Sequence, residues 1–476
     1  MSQLDLIVTN ADIATASERF RGAIGIKDGK IAILGDTLSS AARVIDAQGC
    51  LVTPGGVDAH CHLDQPTSDG SVMADDFLSG TIAAACGGTT TVIPFACQFK
   101  GRSVRAAVDD YHRRAAGKPV IDYAFHLIVS DPTRDVLERE LPALIEEGYT
   151  HFKIYMTYDD LKLTDRQILD VLALARRHGA MPMIHAENDD CIAWLTDVLE
   201  RAGKTAPRHH AEARPTVIER EAAHRAISLA ELIDVPVLIV HVSSNAAMSQ
   251  IQLAQSRGIN IFGETCPQYL FLTAEDLAAP GFEGAKCICS PPPRTLDDQE
   301  HIWRGLKTGV FQVFSSDHAP FSFGGDKGKR VAGPDAHFRV VPNGVPGIET
   351  RMPLLMSEGV LAGRLDVQRF VSLTATAPAK LYGLYPRKGS ICPGADADFV
   401  IWDTQTRFTL TNDRLHHNVD YTPYEGMSLS AWPKRVFSRG ELVVADGSCV
   451  ARAGRGQFLP SLRRQAAGAM RHDSLA

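Results

Sequence analysis

The stretch Leu51-Val52-Thr53-Pro54-Gly55-Gly56-Val57-Asp58-Ala59-His60-Cys61-His62 decides how this chain is read. It begins as an apolar strand, Leu51 to His60, and ends in two imidazoles two residues apart. Side chains at i and i+2 of a strand point to the same side, so such a pair is able to chelate one ion. Outward from it, seven more apolar runs follow: Thr89 to Phe95, Ile121 to Ile128, His151 to Met156, Met181 to His185, Val235 to His241, Ile259 to Glu264 and Phe311 to Ser315. Helical segments separate them. Asp165 to His178 places Ile168, Leu169, Leu172 and Ala175 on one face, and Pro215 to Leu232 is a second example. Eight strands alternating with helices over roughly 260 residues predict a (β/α)8 barrel, whose active site lies at the C-terminal strand ends. An open doubly wound sheet fits less well, because no Gly-x-Gly-x-x-Gly follows a strand.

The flanks read differently. Leu6-Ile7-Val8, Ala23 to Ile26 and Ile31 to Leu34 alternate with turns such as Asp28-Gly29, and strand patterns return at Phe399 to Trp402, Arg435 to Phe437 and Leu442 to Val444. The expected α/β organisation is a barrel over 53–384, a small β-sandwich from 1–52 and 385–460, and a C-terminal tail over 461–476. From Ala451 onward no core pattern is evident, and an extended arm or an oligomer contact is expected.

Among 476 residues, hydrophobic types make up 45% and charged types 22%, which excludes disordered and collagen-like classes. The net charge of −7 has no long run of either sign, so neither nucleic acid nor a membrane surface is an expected partner. No apolar run is long enough to span a bilayer, and the N-terminus lacks a basic leader. The ten cysteines lack Cys-x-x-Cys spacing and are expected to be buried thiols of a cytoplasmic protein.

Strand ends carry the chemistry. Besides His60 and His62, the fourth strand carries Lys153, the fifth ends at His185, the sixth at His241, and Asp317 follows the eighth. A barrel would converge these side chains on one mouth, which predicts a metal site. A lysine with an ordinary pKa near 10.4 would repel cations. Addition of carbon dioxide to its neutral amine makes a carbamate anion with two oxygens, able to bridge two metals.

The run Thr53 to Asp64, with Ala74-Asp75-Asp76-Phe77, Gly87 to Thr90, Phe152 to Tyr155, His185 to Asn188, Val240 to Ser243, Gly263 to Tyr269, Ser290 to Pro292, Ser316 to Phe321, Asn343 to Gly347 and Gly383 to Gly389, resembles the hydantoinase and dihydropyrimidinase branch of the cyclic amidohydrolases. The resemblance implies two divalent metals, most simply zinc. His60, His62 and Asp317 would hold the more buried ion, His185 and His241 the other, and N6-carboxylated Lys153 would bridge both. It also implies a hydroxide nucleophile between the metals, Tyr155 as oxyanion donor, Asp317 as acid–base group, and Ser290 and Asn343 as contacts to a small cyclic ureide or imide. Ring opening would give an N-carbamoyl amino acid. Asp58 and His318 flank the ligands and are expected to orient them. A homotetramer or homodimer is implied by the family alone. His209-His210 and His416-His417 lie at no strand end and are expected on the solvated surface.

Two loops depart from the family. Leu63 to Asp69 is polar where an aromatic side chain is common, and Met156 to Asp160 ends acidic where a basic residue is usual. A longer insertion, Gly324 to Gly333, is expected to form a mobile lid or an intersubunit contact. Dihydroorotases carry an Arg just after His-x-His, where this chain has Leu63, Asp64 and Gln65. Allantoinase, or another cyclic imide or ureide hydrolase, is the alternative activity. A non-enzymatic scaffold like the collapsin response mediator proteins is the alternative of another class; those proteins lose metal ligands, and this chain keeps all six.

Overall fold

Residues 3–38 and 40–463 are described by the structure, a computed structural model. Parallel strands β1 (Gly56–Cys61), β2 (Thr89–Cys97), β3 (in two pieces, Asp122–Tyr123 and His126–Ile128), β4 (His151–Tyr155), β5 (Met181–His185), β6 (Val237–Ile239), β7 (Ile261–Thr265) and β8 (Val313–Phe314) pair in chain order. The register runs Lys153 opposite Met183 and Tyr155 opposite His185, so neighbouring strand ends stay level. Beyond β8 the backbone closes the ring onto β1: Asp317 N–H donates to the His60 carbonyl at 2.9 Å and His62 N–H to the His318 carbonyl at 2.7 Å. The helices between strands follow their sequence signals. Asp165–His178 starts at a reciprocal cap between Thr164 and Gln167, stops at left-handed Gly179, and buries Ile168, Leu172 and Ala175, leaving Leu169 half-buried.

Nine strands of the two termini form a second, mixed sheet, which branches at Leu4–Ala14. One correction concerns the opening stretch, because the expected first barrel strand is two strands. Leu51–Pro54 joins the terminal sheet, antiparallel to Phe399–Asp403, and only Gly56–Cys61 enters the barrel. Gly55 is the crossing point: a Cβ there would lie 2.2 Å from Thr90 Oγ1, so only glycine lets the chain change layers at this distance. A fully buried ionic knot joins the two sheets, with Lys388 Nζ at 2.7 Å from Asp122, 3.1 Å from Asp396 and 2.8 Å from Asp398.

The segment after Ala451 is a second correction. Its described part packs on the barrel floor instead of projecting: Gln457 and Leu459 exchange backbone hydrogen bonds with Tyr123, and the Phe458 ring sits 4.8 to 5.8 Å from His112, Tyr149, Phe125 and Tyr123. Too few residues are buried there for a period to be visible. Residues 464–476 of the expected tail lie outside those described. Among the described residues no helix is long and apolar enough to cross a membrane. Six cysteines are buried as expected and none is paired, but Cys50, Cys392 and Cys449 are half-buried, and Cys191, in the first turn of a surface helix, is exposed.

Candidate active site

A cavity of about 450 Å³ opens at the C-terminal ends of the barrel strands, and His62, Lys153, Tyr155, His185, His241 and Asp317 all line it. His60 lies just beneath, fully buried. One ring nitrogen or carboxylate oxygen from each of His60, His62 and Asp317 lies within 4.8 Å of the others. His60 Nε2 is 3.1 Å and His62 Nε2 3.4 Å from Asp317 Oδ1. On the other side, His185 Nδ1 and His241 Nε2 face each other at 3.0 Å. Lys153 Nζ sits 2.7 Å from His60 Nε2, over the Phe95 and Tyr155 rings. His241 and Asp317 hold left-handed backbone, φ 38° and 46°, a conformation costly for such residues and concentrated at functional sites.

This donor set suits a divalent cation. The outward nitrogen of three imidazoles is engaged by an oxygen acceptor: His60 Nδ1 by Glu264 Oε1 at 2.6 Å, His62 Nδ1 by Gln65 Oε1 at 2.6 Å, and His185 Nε2 by Glu187 Oε2 at 2.8 Å. Each such bond places the proton on the far nitrogen and turns the inward lone pair toward the others, the arrangement that metal-binding histidines adopt. His241 is held through its backbone, its N–H donating to Glu264 Oε1 at 3.1 Å, while its Nδ1 has no hydrogen-bond partner among the described residues. Burial pushes His62 down to about 4 and the Lys153 amine down to about 8. His62 is therefore neutral near pH 7, as ligation requires, and Lys153 carries a far larger neutral fraction than an ordinary lysine, the fraction that adds carbon dioxide. Burial also works on Glu187, but Arg214 at 2.8 Å and His185 outweigh it and hold its carboxyl at about 2.

The fit extends to the sequence. Across a family model described as the amidohydrolase family, residues 51–443 match. The chain belongs to that family. Within it, this amidohydrolase falls in the hydantoinase and dihydropyrimidinase branch. It is 46% identical to a D-hydantoinase of Geobacillus stearothermophilus, over 95% of this chain and 96% of that protein. With a D-hydantoinase of Rhizobium radiobacter it shares 43% identity over 96% and 98%. The crystal structure of a dihydropyrimidinase from Brevibacillus agri superposes with a TM-score of 0.94 at 41% identity, covering 96% of this chain and 99% of that one.

Of the other predicted residues in this amidohydrolase, Tyr155 is buried with its ring stacked on His185 at 5.3 Å, and burial raises its hydroxyl well above the usual range, so it stays a donor. Ser290 and Asn343 line the wall of the same cavity. Asp58 acts on backbone and not on a ligand ring: its Oδ1 accepts from Ser316 N–H at 3.1 Å, beside Asp317. His318 bridges Asp75, at 3.2 Å, to the Gly347 N–H, at 3.1 Å.

Two expectations are corrected. His209 and His210 are buried, not solvated; His210 Nε2 bonds the Cys289 carbonyl at 2.8 Å, next to Ser290. His416 and His417 are half-buried, engaged by Glu349 and Asn412. A short helix and a loop fold these pairs inward, which a rule based on strand ends does not see. Conversely, Glu264, Glu187 and Gln65 hold the site's imidazoles although none of them is expected to from the strand-end pattern. Glu187 was visible in principle, since i+2 alternation puts it on the side of His185, whereas Gln65 reaches His62 only through loop geometry.

Proposed function

We propose that this chain hydrolyses the cyclic amide bond of dihydropyrimidines or 5-substituted hydantoins, giving N-carbamoyl amino acids, with two divalent metal ions, most simply zinc. The observation that carries this is the convergence of His60, His62, Lys153, His185, His241 and Asp317 on one cavity whose wall holds Ser290 and Asn343. His60, His62 and Asp317 would hold one ion, His185 and His241 the second, with N6-carboxylated Lys153 reaching both. When bound, such ions supply Lewis acidity and lower the pKa of a water from 15.7 to around 7.

The chain's own groups do the rest. Ser290 and Asn343 fix the ring. Tyr155 donates its hydroxyl to the carbonyl oxygen as negative charge develops there. Asp317 accepts a proton from the attacking water and returns it to the ring nitrogen as the C–N bond breaks. The low-pKa amine of Lys153 supports carboxylation, since only a neutral amine adds carbon dioxide. The unpaired cysteines support a reducing, cytoplasmic setting, and the family supports a homotetramer or homodimer.

The test is turnover of hydantoin, 5-monosubstituted hydantoins, dihydrouracil, allantoin and succinimide, with metal analysis of the same preparation. Expected is ring opening of a hydantoin or of dihydrouracil by protein carrying about two metals per chain. Allantoin as the best substrate would move the activity to the alternative ring, and metal-free, inert protein would favour a scaffold.

A further inference from the structure

Lys329 is fully buried inside the Gly324 to Gly333 insertion. Its Nζ donates to three backbone carbonyls, Ile288 at 2.8 Å, Pro342 at 2.7 Å and Gly344 at 2.6 Å. The three carbonyls match the three N–H donors of the ammonium form and favour it against burial, which pushes the amine down to about 7. Ile288 lies two residues before Ser290, and Pro342 and Gly344 flank Asn343. The same Ile288 carbonyl also accepts from Gly344 N–H at 3.0 Å, so both cavity-wall loops are knotted at this cation. The insertion is itself anchored to its own chain, Lys329 N–H to the Ser322 carbonyl at 2.8 Å and Val72 N–H to the Lys327 carbonyl at 2.7 Å.

We infer that Lys329 is a positioning residue for the substrate ring, holding the Ser290 and Asn343 loops at their working separation and aiming the Asn343 backbone into the cavity. In a trans peptide N–H and C=O point in opposite directions, so a Pro342 carbonyl fixed on Lys329 turns the Asn343 N–H the other way. That N–H donates to no protein acceptor among the described residues, which leaves it for a ligand. Without the cation, three carbonyl dipoles converge on one point and repel, and the loops relax. The inference rests on the ring-hydrolase reading given above, but the clamp itself is measurable without substrate.

The experiment compares wild type, Lys329→Met and Lys329→Gln by hydrogen exchange of the 288–291 and 342–346 segments, and by kcat and KM on the best wild-type ring substrate. Expected in both variants is faster exchange in both segments, KM raised ~10-fold with kcat within ~3-fold, and metal content equal to wild type, because the lost contacts bind ground and transition states alike. Lys329→Gln retains two donors and serves if Lys329→Met fails to fold. Wild-type exchange and KM in the variants would overturn the inference, as would loss of metal with kcat falling while KM holds. Altered exchange in a protein whose wild type opens no ring would sink the functional reading alone.

Discussion

Gln65 illustrates what single side chains do here. A loop glutamine accepts from His62 Nδ1–H and aims His62 Nε2 at Asp317. Gln65→Leu removes that acceptor and leaves the ring free to change tautomer, and partners of this kind are worth ~10–100-fold in metal affinity. Chelator competition on the purified variant should therefore show zinc held ~10–100-fold less tightly, with the fold unchanged by circular dichroism; wild-type affinity would remove Gln65 from the site. The six inward groups themselves were legible, because five stand at or just beyond the end of an apolar run and Lys153 lies within one. Among the outward partners only Glu187, two residues from His185, has a local signal; Glu264 lies 204 positions from His60, and no local pattern marks such a pair.

Elements were read well where their burial is periodic and poorly where it is not. The seven later barrel strands and the Asp165–His178 helix stand at or inside their expected bounds or within two residues of them. Leu51 to His60 was read as one strand because both halves are apolar; the change of layer is signalled only by Gly55-Gly56. Placing Cβ at Gly55 drives it into Thr90, and overpacking of this kind costs ~1–3 kcal/mol or more. Gly55→Ala should lower the urea midpoint accordingly without altering the slope of the transition, whereas an unchanged midpoint would mean the crossing has room to spare. The segment around Phe458 escaped notice for a related reason, since one ring among four aromatic neighbours makes a contact but no repeat.

At the scale of the molecule, the terminal sheet is bonded to the barrel through the Lys388 knot. Burial disfavours that ammonium, and Asp398, Asp122 and Asp396 more than offset it, raising its pKa. Lys388→Met takes from buried Asp398 its cation, while Asp396 keeps Arg387 and Lys30 and Asp122 keeps Arg439, and removing one partner of a buried pair typically costs ~3–5 kcal/mol. The expected result is a loss of that size in equilibrium unfolding, with KM unchanged in the surviving folded enzyme because the knot sits on the side of the barrel away from the cavity. A variant as stable as wild type would show that the two sheets are held by apolar packing alone.

The claim on which the rest depends is that a cyclic amide is opened at a metal centre joined by Lys153. The most direct measurement is the turnover of the best ring substrate by wild type and Lys153→Ala, prepared side by side with the same metal supply. The account predicts an N-carbamoyl product from wild type and a rate reduced by ~10³-fold or more in the variant, on the scale of losing an electrostatic group of the reaction centre. Full activity in Lys153→Ala would contradict it.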